Sequence, residues 1–159
     1  MATSLTSIRL MKEADLEEIA KLAVLANPFA RDEKNPDRVT DEYMKNVRYW
    51  LENFPELAFV AEENGRVVGY VAGEVRGEIG VIEDIAVAEA FQRKGIGSAL
   101  MQRELEALRT KGARLAIVEV HYKNVSAIPF YYEFGFRISG CMRNKFGFGH
   151  DAVVLEKPL

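Results

Sequence analysis

The sequence predicts an α/β (α+β) fold of seven strands and four helices, formed by a single domain that spans residues 1–159. The length of 159 residues suffices for one domain with a substantial core and is too short for two. Apolar residues alternate at strand spacing in some segments and recur at helical spacing in others. Turn-forming residues separate these segments, and the resulting order of elements is β-α-α-β-β-β-α-β-α-β-β.

The first third of the chain predicts one strand followed by two helices. The elements are a strand at Thr6–Leu10, a helix at Asp15–Ala26, a loop at 27–38 and a helix from Asp41 to Phe54. Asn27-Pro28 ends the first helix, because the residue before a proline disfavours helical geometry. Thr40 or Asp41 supplies the cap of the second helix, and Pro55 closes it.

The remainder of the chain predicts six strands and two helices. They are strands at Leu57–Glu62, Val67–Val75 and Val81–Val87, a helix from Ile96 to Leu108, a strand at Leu115–Val120, a helix at Ala127–Phe134, and hairpin strands at Arg137–Phe146 and Asp151–Glu156. Gly69 and Gly73 interrupt the second of these strands and indicate a bulge. Gly112 stops the longer helix, and Ser126 is the expected cap of the shorter one.

A strand, a glycine-containing turn and a helix follow one another near the middle of the chain. The strand Val81–Val87 carries the carboxylate pair Glu83 and Asp84, and the turn contains Gly95 and Gly97. A helix start exposes unpaired N–H groups and carries partial positive charge, and glycine lets a ligand approach the backbone closely. This segment therefore predicts a binding site for a phosphate group.

Two familiar phosphate-binding motifs do not fit this turn. A P-loop requires a lysine directly after its second glycine, whereas Gly97 is followed by Ser98. A dinucleotide fingerprint requires a third glycine at the position that Leu100 occupies. The phosphate ligand is therefore of another class, or the segment is an ordinary strand-to-helix turn.

Two motifs resemble the signatures of the GNAT superfamily of acetyl-CoA-dependent N-acetyltransferases. Gln92-Arg93-Lys94-Gly95-Ile96-Gly97 resembles the pattern Gln/Arg-x-x-Gly-x-Gly/Ala of that family. The segment from Asn124 to Phe136 resembles its second pattern, Asn-x-x-Ala-x-x-Leu/Phe-Tyr-x-x-x-Gly-Phe, at every fixed position. The two matches occur in the family's order, so the chain is identified as a GNAT member over essentially its whole length.

The resemblance implies a fold, a reaction and a cofactor. The expected fold is a mixed, mostly antiparallel central sheet of about seven strands flanked by about four helices. The expected reaction moves the acetyl group of acetyl-CoA directly to an amine in a ternary complex. The residues expected to bind acetyl-CoA are Ile85, Ala86, Val87, Gln92, Arg93, Lys94, Gly95, Ile96, Gly97, Ser98, Asn124 and Tyr131.

Acetyl transfer also needs a base, because alkyl amines with pKa values of about 10 are protonated at neutral pH. Glu83 and Asp84 are the candidates for contact with the acceptor amine, and in a regular strand they point to opposite faces. We expect Glu83 to be the base, with Asp84, water or Glu119 on the neighbouring strand as alternatives. These carboxylates otherwise orient the acceptor or satisfy backbone groups.

The departing thiolate needs a proton donor. Tyr131 matches the tyrosine of the second GNAT signature, which is a general acid in many members, and a phenol of pKa about 10 can protonate a thiolate of pKa about 8–9. Its alternative role is that of a core aromatic, and Tyr132 fits the catalytic role less well. Asn124 matches the asparagine that contacts pantetheine in the family.

The acceptor is predicted from charge. Glu83 and Asp84, with Glu74, Glu78 and Glu119 on neighbouring strands, suit a small cationic amine such as a polyamine, an aminoglycoside or an amino sugar. The alternative is a peptide amine, as in N-terminal or lysine acetyltransferases of proteins. A third possibility is a non-catalytic acyl-CoA sensor. Tyr43, Tyr49 and Trp50 either line the acceptor pocket or pack in the core.

Composition limits the other kinds of ligand and location that the protein could have. The net charge of −3 lacks the excess of basic residues that is typical of nucleic-acid-binding proteins, and no apolar run is long enough to span a membrane. With one cysteine and no visible export signal, a cytoplasmic location is expected. His121 and His150 lie far apart in sequence, so no metal is expected, and Cys141 is expected to be a buried thiol. GNAT domains often form dimers, so a homodimer is compatible with the resemblance.

Overall fold

The computed structural model describes residues 6–27 and 31–159, and within them a single mixed sheet of seven strands organises the chain. The strands are β1 Ser7–Leu10, β2 Ala58–Glu63, β3 Arg66–Arg76, β4 Ile79–Val87, β5 Leu115–His121, β6 Arg137–Met142 and β7 Ala152–Pro158. Their order across the sheet is β1-β2-β3-β4-β5-β7-β6. Only β4 and β5 pair in parallel. The mixed, mostly antiparallel sheet predicted from the resemblance is thereby confirmed.

Helices cover both faces of this sheet. The four α-helices of the described residues are α1 Leu16–Ala26, α2 Asp41–Asn53, α3 Ile96–Thr110 and α4 Ile128–Glu133. On one face, α1 and α2 bury Ile19 and Trp50 against Tyr70 of β3. On the other face, Leu100 of α3 and Tyr131 of α4 belong to a second core cluster. Among the described residues, no helix combines the length and apolar character needed to cross a membrane.

Local signals at the helix ends behave partly as expected. The Thr40 hydroxyl accepts a hydrogen bond from the Tyr43 N–H at 3.0 Å, so Thr40 is the cap of α2. Pro28, predicted to help end α1, lies outside the described residues. Ser126 is not the cap of α4, because it lies within a 3₁₀ turn at Val125–Ala127 and α4 begins only at Ile128.

The final hairpin is shorter than predicted on its first strand. β6 ends at Met142 instead of continuing to Phe146, because Asn144 adopts a positive φ of 56° and its N–H bonds the Asp151 carboxylate at 2.8 Å. β6 is also an edge strand whose residues are all exposed. The prediction that Cys141 is buried is therefore wrong, since its thiol is exposed on this edge.

A β-bulge in β4 separates two differently paired halves of that strand. Ala72 of β3 pairs with Asp84 and the next residue, Gly73, pairs with Ile82, so Glu83 is the extra residue. The parallel ladder between β4 and β5 ends at the same point, with Ile82 opposite Val118. From Glu83 to Val87, β4 is paired to β3 alone, and a split opens between β4 and β5.

Gly73 makes room for a buried carboxyl group beside this bulge. Glu104 of α3 is fully buried, and neither of its oxygens has a hydrogen-bond partner among the described residues. Burial raises the pKa of Glu104 well above its ordinary value, so the side chain is held as the neutral acid. A Cβ atom on Gly73 would overlap Glu104 Oε1 and lie 2.8 Å from the Val81 carbonyl oxygen.

We expect Gly73→Ala to destabilise the protein by about 1–3 kcal/mol, the usual effect of inserting a methyl group into a filled core. The matched control is Gly140→Ala on β6, where an added Cβ meets nothing within 4 Å. The measurement is the free energy of unfolding from urea titration, monitored by far-UV circular dichroism. Equal stability of the two variants would contradict the packing described for Gly73.

Candidate active site

The candidate active site lies where β4 and β5 separate. Glu83 and Glu119 directly follow Ile82 and Val118, the last residues that pair across the parallel ladder. Glu83 is half-buried, with 22 % of its side chain exposed, and Glu119 is comparable at 20 %. Two carboxylates therefore flank the beginning of the split.

The electrostatic environment of Glu83 favours a proton acceptor. Burial and the nearby negative charge of Glu74 raise the pKa of Glu83 to about 7. Arg76, whose guanidinium lies 4.0 Å from the Glu83 carboxylate, opposes this rise, and the charge of Glu119 adds to it. A carboxyl group that titrates near neutral pH can take a proton from an ammonium and release it to solvent.

Asp84 has a different environment. Its carboxylate is buried and accepts hydrogen bonds from the hydroxyls of Tyr43 on α2 and Tyr70 on β3, the latter at 2.8 Å. Burial raises the pKa of Asp84 although both tyrosine hydrogen bonds oppose the change. Because these bonds occupy the carboxylate and join α2 to the sheet, Asp84 fits a structural anchor better than a base.

The expectation that Glu83 and Asp84 point to opposite faces is wrong. Asp84 reaches Tyr43 on the α1–α2 side of the sheet. Glu83 interacts with Glu74, which is two residues from Ala72 on β3 and so shares the α1–α2 side with it. The extra residue of the bulge breaks the two-residue alternation of the strand, and both carboxylates consequently occupy one face.

Tyr131 lies on the opposite side of the sheet, in the core cluster against which Ile85 and Val87 of β4 pack. It is 7 % exposed, and its ring packs edge-on against Phe130 and Phe136 at centroid distances of 5.4 and 5.9 Å. Burial, followed by the charge of Asp84, raises the pKa of Tyr131, so the phenol stays protonated at neutral pH. Within the described part of the chain its hydroxyl makes no hydrogen bond, which leaves it available to a ligand.

The beginning of α3 has the features expected of an anion site. Gly95, the residue before the helix, has a left-handed φ of 82°, and neither a side-chain cap nor an acidic residue occupies the first turn. The Gln92 side chain donates a hydrogen bond to the Val87 carbonyl at 3.0 Å and so ties this turn to the end of β4. Free N–H groups of the first helical turn therefore lie close to the unpaired edge of β4.

The other residues predicted to contact acetyl-CoA lie on β4, in the turn after β5 and in the turn before α3. Ile85 and Val87 pack against the α3–α4 side, and Ala86 is buried on the α1–α2 side. Asn124 lies in the turn between β5 and α4, where its N–H bonds the His121 carbonyl at 2.7 Å. Lys94 extends its ammonium over the Phe91 ring at 5.3 Å, and both Arg93 and Lys94 are exposed.

The connection of the predicted final hairpin contacts the end of β5 beside the split. The connection between β6 and β7, residues 143–151, brings the Lys145 ammonium within 3.0 Å of Glu119 and the Phe146 ring within 5.5 Å of His121. His150 Nδ1 lies 3.0 Å from His121 Nε2, although the two histidines are distant in sequence. The antiparallel pairing of β5 with β7 could have revealed this proximity, since it places His121 opposite Ala152.

The two histidines are engaged in hydrogen bonds within the protein. His121 Nδ1 accepts a hydrogen bond from the Lys123 N–H at 3.1 Å, so the proton of neutral His121 is on Nε2 and points at His150. In residues 6–27 and 31–159, no cluster of three or more His, Cys, Asp or Glu side chains is arranged to hold a metal ion. Of the aromatic residues on α2, Tyr43 reaches the site, Trp50 is in the core and Tyr49 is 49 % exposed.

These features together suit acyl transfer to an amine. The split offers an open strand edge for an extended amide-containing ligand, and the start of α3 offers a site for its phosphates. A titratable carboxylate lies on one face of the sheet, and a protonated phenol lies on the other face.

Comparison with known proteins agrees with this chemistry. Residues 16–136 match the model of the acetyltransferase (GNAT) family. An N-alpha-acetyltransferase of Sulfurisphaera tokodaii is 30% identical over 165 residues, covering 96% of this chain and 92% of the relative. The crystal structure of Ard1 from Thermoplasma volcanium shares 26% identity and a TM-score of 0.81, and covers 97% of each chain.

A similar structure that contains its cofactor supports acetyl-CoA as the ligand. The structure of yncA from Salmonella typhimurium, a putative acetyltransferase with acetyl-CoA bound, is 26% identical with a TM-score of 0.73, and the match covers 97% of this chain and 94% of that one. The two motifs, the split sheet and the family match lead to one assignment. The chain belongs to the acetyltransferase (GNAT) family and is an acetyl-CoA-dependent N-acetyltransferase.

Proposed function

We propose that the enzyme acetylates the α-amino group of a peptide or protein N-terminus. The observation that carries this proposal is the pair Glu83 and Glu119 at an open split, where an ammonium group can be bound and deprotonated. The N-alpha-acetyltransferase names of the relatives, in Sulfurisphaera tokodaii and Sulfolobus acidocaldarius, support a peptide acceptor over other amines. An α-amino group has a pKa of about 8, so it needs less help to lose its proton than an alkyl amine does.

A small cationic amine is the second candidate acceptor. Glu74, Glu83 and Glu119 interact electrostatically on one part of the sheet, and Arg76 and Lys145 are the cations beside them. An excess of carboxylates favours a multiply charged amine such as a polyamine or an aminoglycoside. This preference is argued from charge alone. The two candidate acceptors differ in what is attached to the reacting ammonium, which is a peptide chain in the first and further cationic groups in the second.

Glu83 acts in the proposed mechanism as the general base. It accepts a proton from the acceptor ammonium, directly or through water, and the free amine attacks the thioester carbonyl. Its pKa of about 7 lets it lose protons to solvent after each turnover at neutral pH. Asp84 is left to hold Tyr43 and Tyr70 in place at the acceptor side of the split.

Tyr131 acts in the proposed mechanism as the acid. The tetrahedral intermediate collapses as the carbon–sulfur bond breaks, and the departing thiolate takes a proton or a hydrogen bond from the phenol. Burial keeps Tyr131 protonated, so the donor is present throughout the neutral pH range.

Acetyl-CoA is proposed to lie along the split. The free edge of Ile85, Ala86 and Val87 would pair with the pantetheine amides, and Asn124 lies across the opening on the turn after β5. The turn from Gln92 to Ser98 would hold the pyrophosphate on N–H groups, with Arg93 and Lys94 as exposed cations beside it. The cofactor supplies the activated acetyl group, and the chain supplies its orientation.

Three further expectations remain proposals. We propose that residues 1–159 form one domain and that the enzyme is cytoplasmic, in keeping with its single cysteine. We also propose a homodimer, which is supported by the exposed edge strand β6 with its free hydrogen-bonding groups.

The acceptor class is tested by measuring CoA release with a panel of amines and identifying the products by mass spectrometry. The panel holds peptides with free N-termini, the same peptides with blocked N-termini and an internal lysine, polyamines, aminoglycosides and amino sugars. We expect turnover with free N-termini at a kcat/KM at least tenfold above all other classes. A preference for polyamines or aminoglycosides would establish the second candidate, and turnover of the blocked peptides would indicate a lysine acetyltransferase.

Glu83→Gln is expected to lower kcat by about 10²–10⁴-fold, the usual contribution of a general base. In the parent enzyme the rate should rise with pH through about 7, because only the deprotonated Glu83 carboxylate accepts a proton. In the Glu83→Gln variant the rate should no longer rise with pH in this range, so the acidic limb of the pH–rate profile should be absent. Asp84→Asn is the matched control: it should retain the limb and instead lower the free energy of unfolding, because the half-buried Tyr43 and the buried Tyr70 lose a carboxylate acceptor. A limb that survives Glu83→Gln would assign the base to Asp84, Glu119 or water.

Tyr131→Phe is expected to lower kcat by about 10²–10⁴-fold while leaving acetyl-CoA affinity and the acidic limb in place. The phenylalanine ring preserves packing against Phe130 and Phe136, so loss of folding is not expected. Tyr132→Phe, one position further on α4 and 39 % exposed, is the control with unchanged kcat. Affinity is measured by calorimetric titration with acetyl-CoA, and an unaltered kcat for Tyr131→Phe would remove the tyrosine from the chemistry.

A further inference from the structure

A primary amine of the protein itself is positioned at the split. Lys145 lies in the connection between β6 and β7, and its ammonium forms an ion pair with Glu119 at 3.0 Å. The two side chains are 35 % and 20 % exposed, so the pair is partly shielded from solvent. Glu119 directly follows the last residue that pairs across the parallel ladder and acts electrostatically on Glu83.

The segment that carries Lys145 is held against the end of β5 at several points. Phe146 stacks on the His121 ring at 5.5 Å, and His150 hydrogen-bonds His121 at 3.0 Å. The turn is closed internally by the Asn144 N–H, which bonds the Asp151 carboxylate at 2.8 Å. These contacts hold the backbone on both sides of Lys145, so its side chain is kept beside Glu119.

The Lys145 ammonium also lies where the ammonium of an external acceptor amine is proposed to bind. In the proposed function, Glu83 and Glu119 receive the ammonium of an incoming amine, and Lys145 presents the same chemical group to one of these carboxylates, Glu119. Ion pairs with this degree of exposure contribute little net stability, so the lysine can leave Glu119 readily. A side chain tethered near a reactive group also has a high effective concentration there.

We propose that Lys145 is an intramolecular acetyl acceptor, which the enzyme modifies when acetyl-CoA is bound and no external amine is present. The lysine ammonium gives its proton to Glu83, and its nitrogen then attacks the thioester carbon. The new carbon–nitrogen bond forms, the carbon–sulfur bond breaks, and the nitrogen loses a second proton, which converts the leaving thiolate to the CoA thiol. The product is Nε-acetyl-Lys145, and the proton on Glu83 is released to solvent. This inference rests on the proposed acceptor site.

Acetylation would alter the site that Lys145 occupies. The amide product carries no charge and cannot form an ion pair with Glu119, so one carboxylate at the split becomes free for the ammonium of an external acceptor. A bound external acceptor would in turn exclude Lys145 and protect it. The modification is therefore expected to happen once per chain and to compete with turnover.

The test uses the full chain and isotopically labelled acetyl-CoA without acceptor, followed by peptide mapping with mass spectrometry. Lys123 is the internal control, because it lies at the same end of β5 over the Tyr122 ring, and among the described residues its ammonium pairs with no carboxylate. We expect labelling of Lys145 at least tenfold faster than Lys123. The first-order rate should be independent of protein concentration over a tenfold range. Glu83→Gln should slow labelling of Lys145 but leave that of Lys123 unchanged.

Equal labelling of Lys145 and Lys123, or a rate that rises with protein concentration, would overturn the proposal. Lys145→Arg keeps the charge beside Glu119 and should abolish the label at this site without creating a new one. A parallel assay with N-terminal peptides separates the two proposals. Peptide turnover with unlabelled Lys145 would refute only the internal acceptor, whereas a labelled Lys145 without peptide turnover would refute only the peptide acceptor.

Discussion

The site depends on one irregularity, the extra residue Glu83 in the pairing of β3 with β4. Up to Ile82, β4 is an interior strand with partners on both edges, and from Glu83 onward it has a partner on one edge only. A closed sheet would leave no backbone groups for a ligand, since every N–H and C=O in its interior is paired. The bulge therefore provides both the opening and the free strand edge that an acyl-CoA requires.

The same irregularity decides the orientation of the carboxylates. In a regular strand, Glu83 and Asp84 would face opposite sides, and one of them would be directed into the α3–α4 core. With the bulge, both face α1 and α2, where Asp84 binds two tyrosines and Glu83 remains close to Glu74 and Glu119. One carboxylate becomes an anchor that connects α2 to the sheet, and its neighbour becomes a titratable group at the opening. Gly73 and the neutral Glu104 fill the space behind this arrangement.

The sequence was sufficient for the features that depend on local pattern. The order of elements, the glycine turn before α3 and the helix with Tyr131 follow from periodicity and short motifs, and each is present in the structure. Features that depend on pairing between strands distant in the sequence could not be predicted from it. The shared face of Glu83 and Asp84 depends on a register shift against β3, and the contact of His121 with His150 depends on the pairing of β5 with β7. Cys141 was misjudged because an apolar pattern does not distinguish an edge strand from an interior one.

Charge balance explains why such a cluster of carboxylates is compatible with a folded enzyme. Glu74 is paired with Arg76, and Glu119 with Lys145, whereas the one cation that pairs with Glu83 among residues 6–27 and 31–159 is the more distant Arg76 guanidinium at 4.0 Å. Glu83 is therefore the least compensated of the three, and it carries the raised pKa. A stronger counter-ion would lower that pKa and with it the basicity that amine deprotonation needs, whereas the absence of Arg76 would raise the pKa further. The separation of Arg76 from Glu83 holds the base between these two limits.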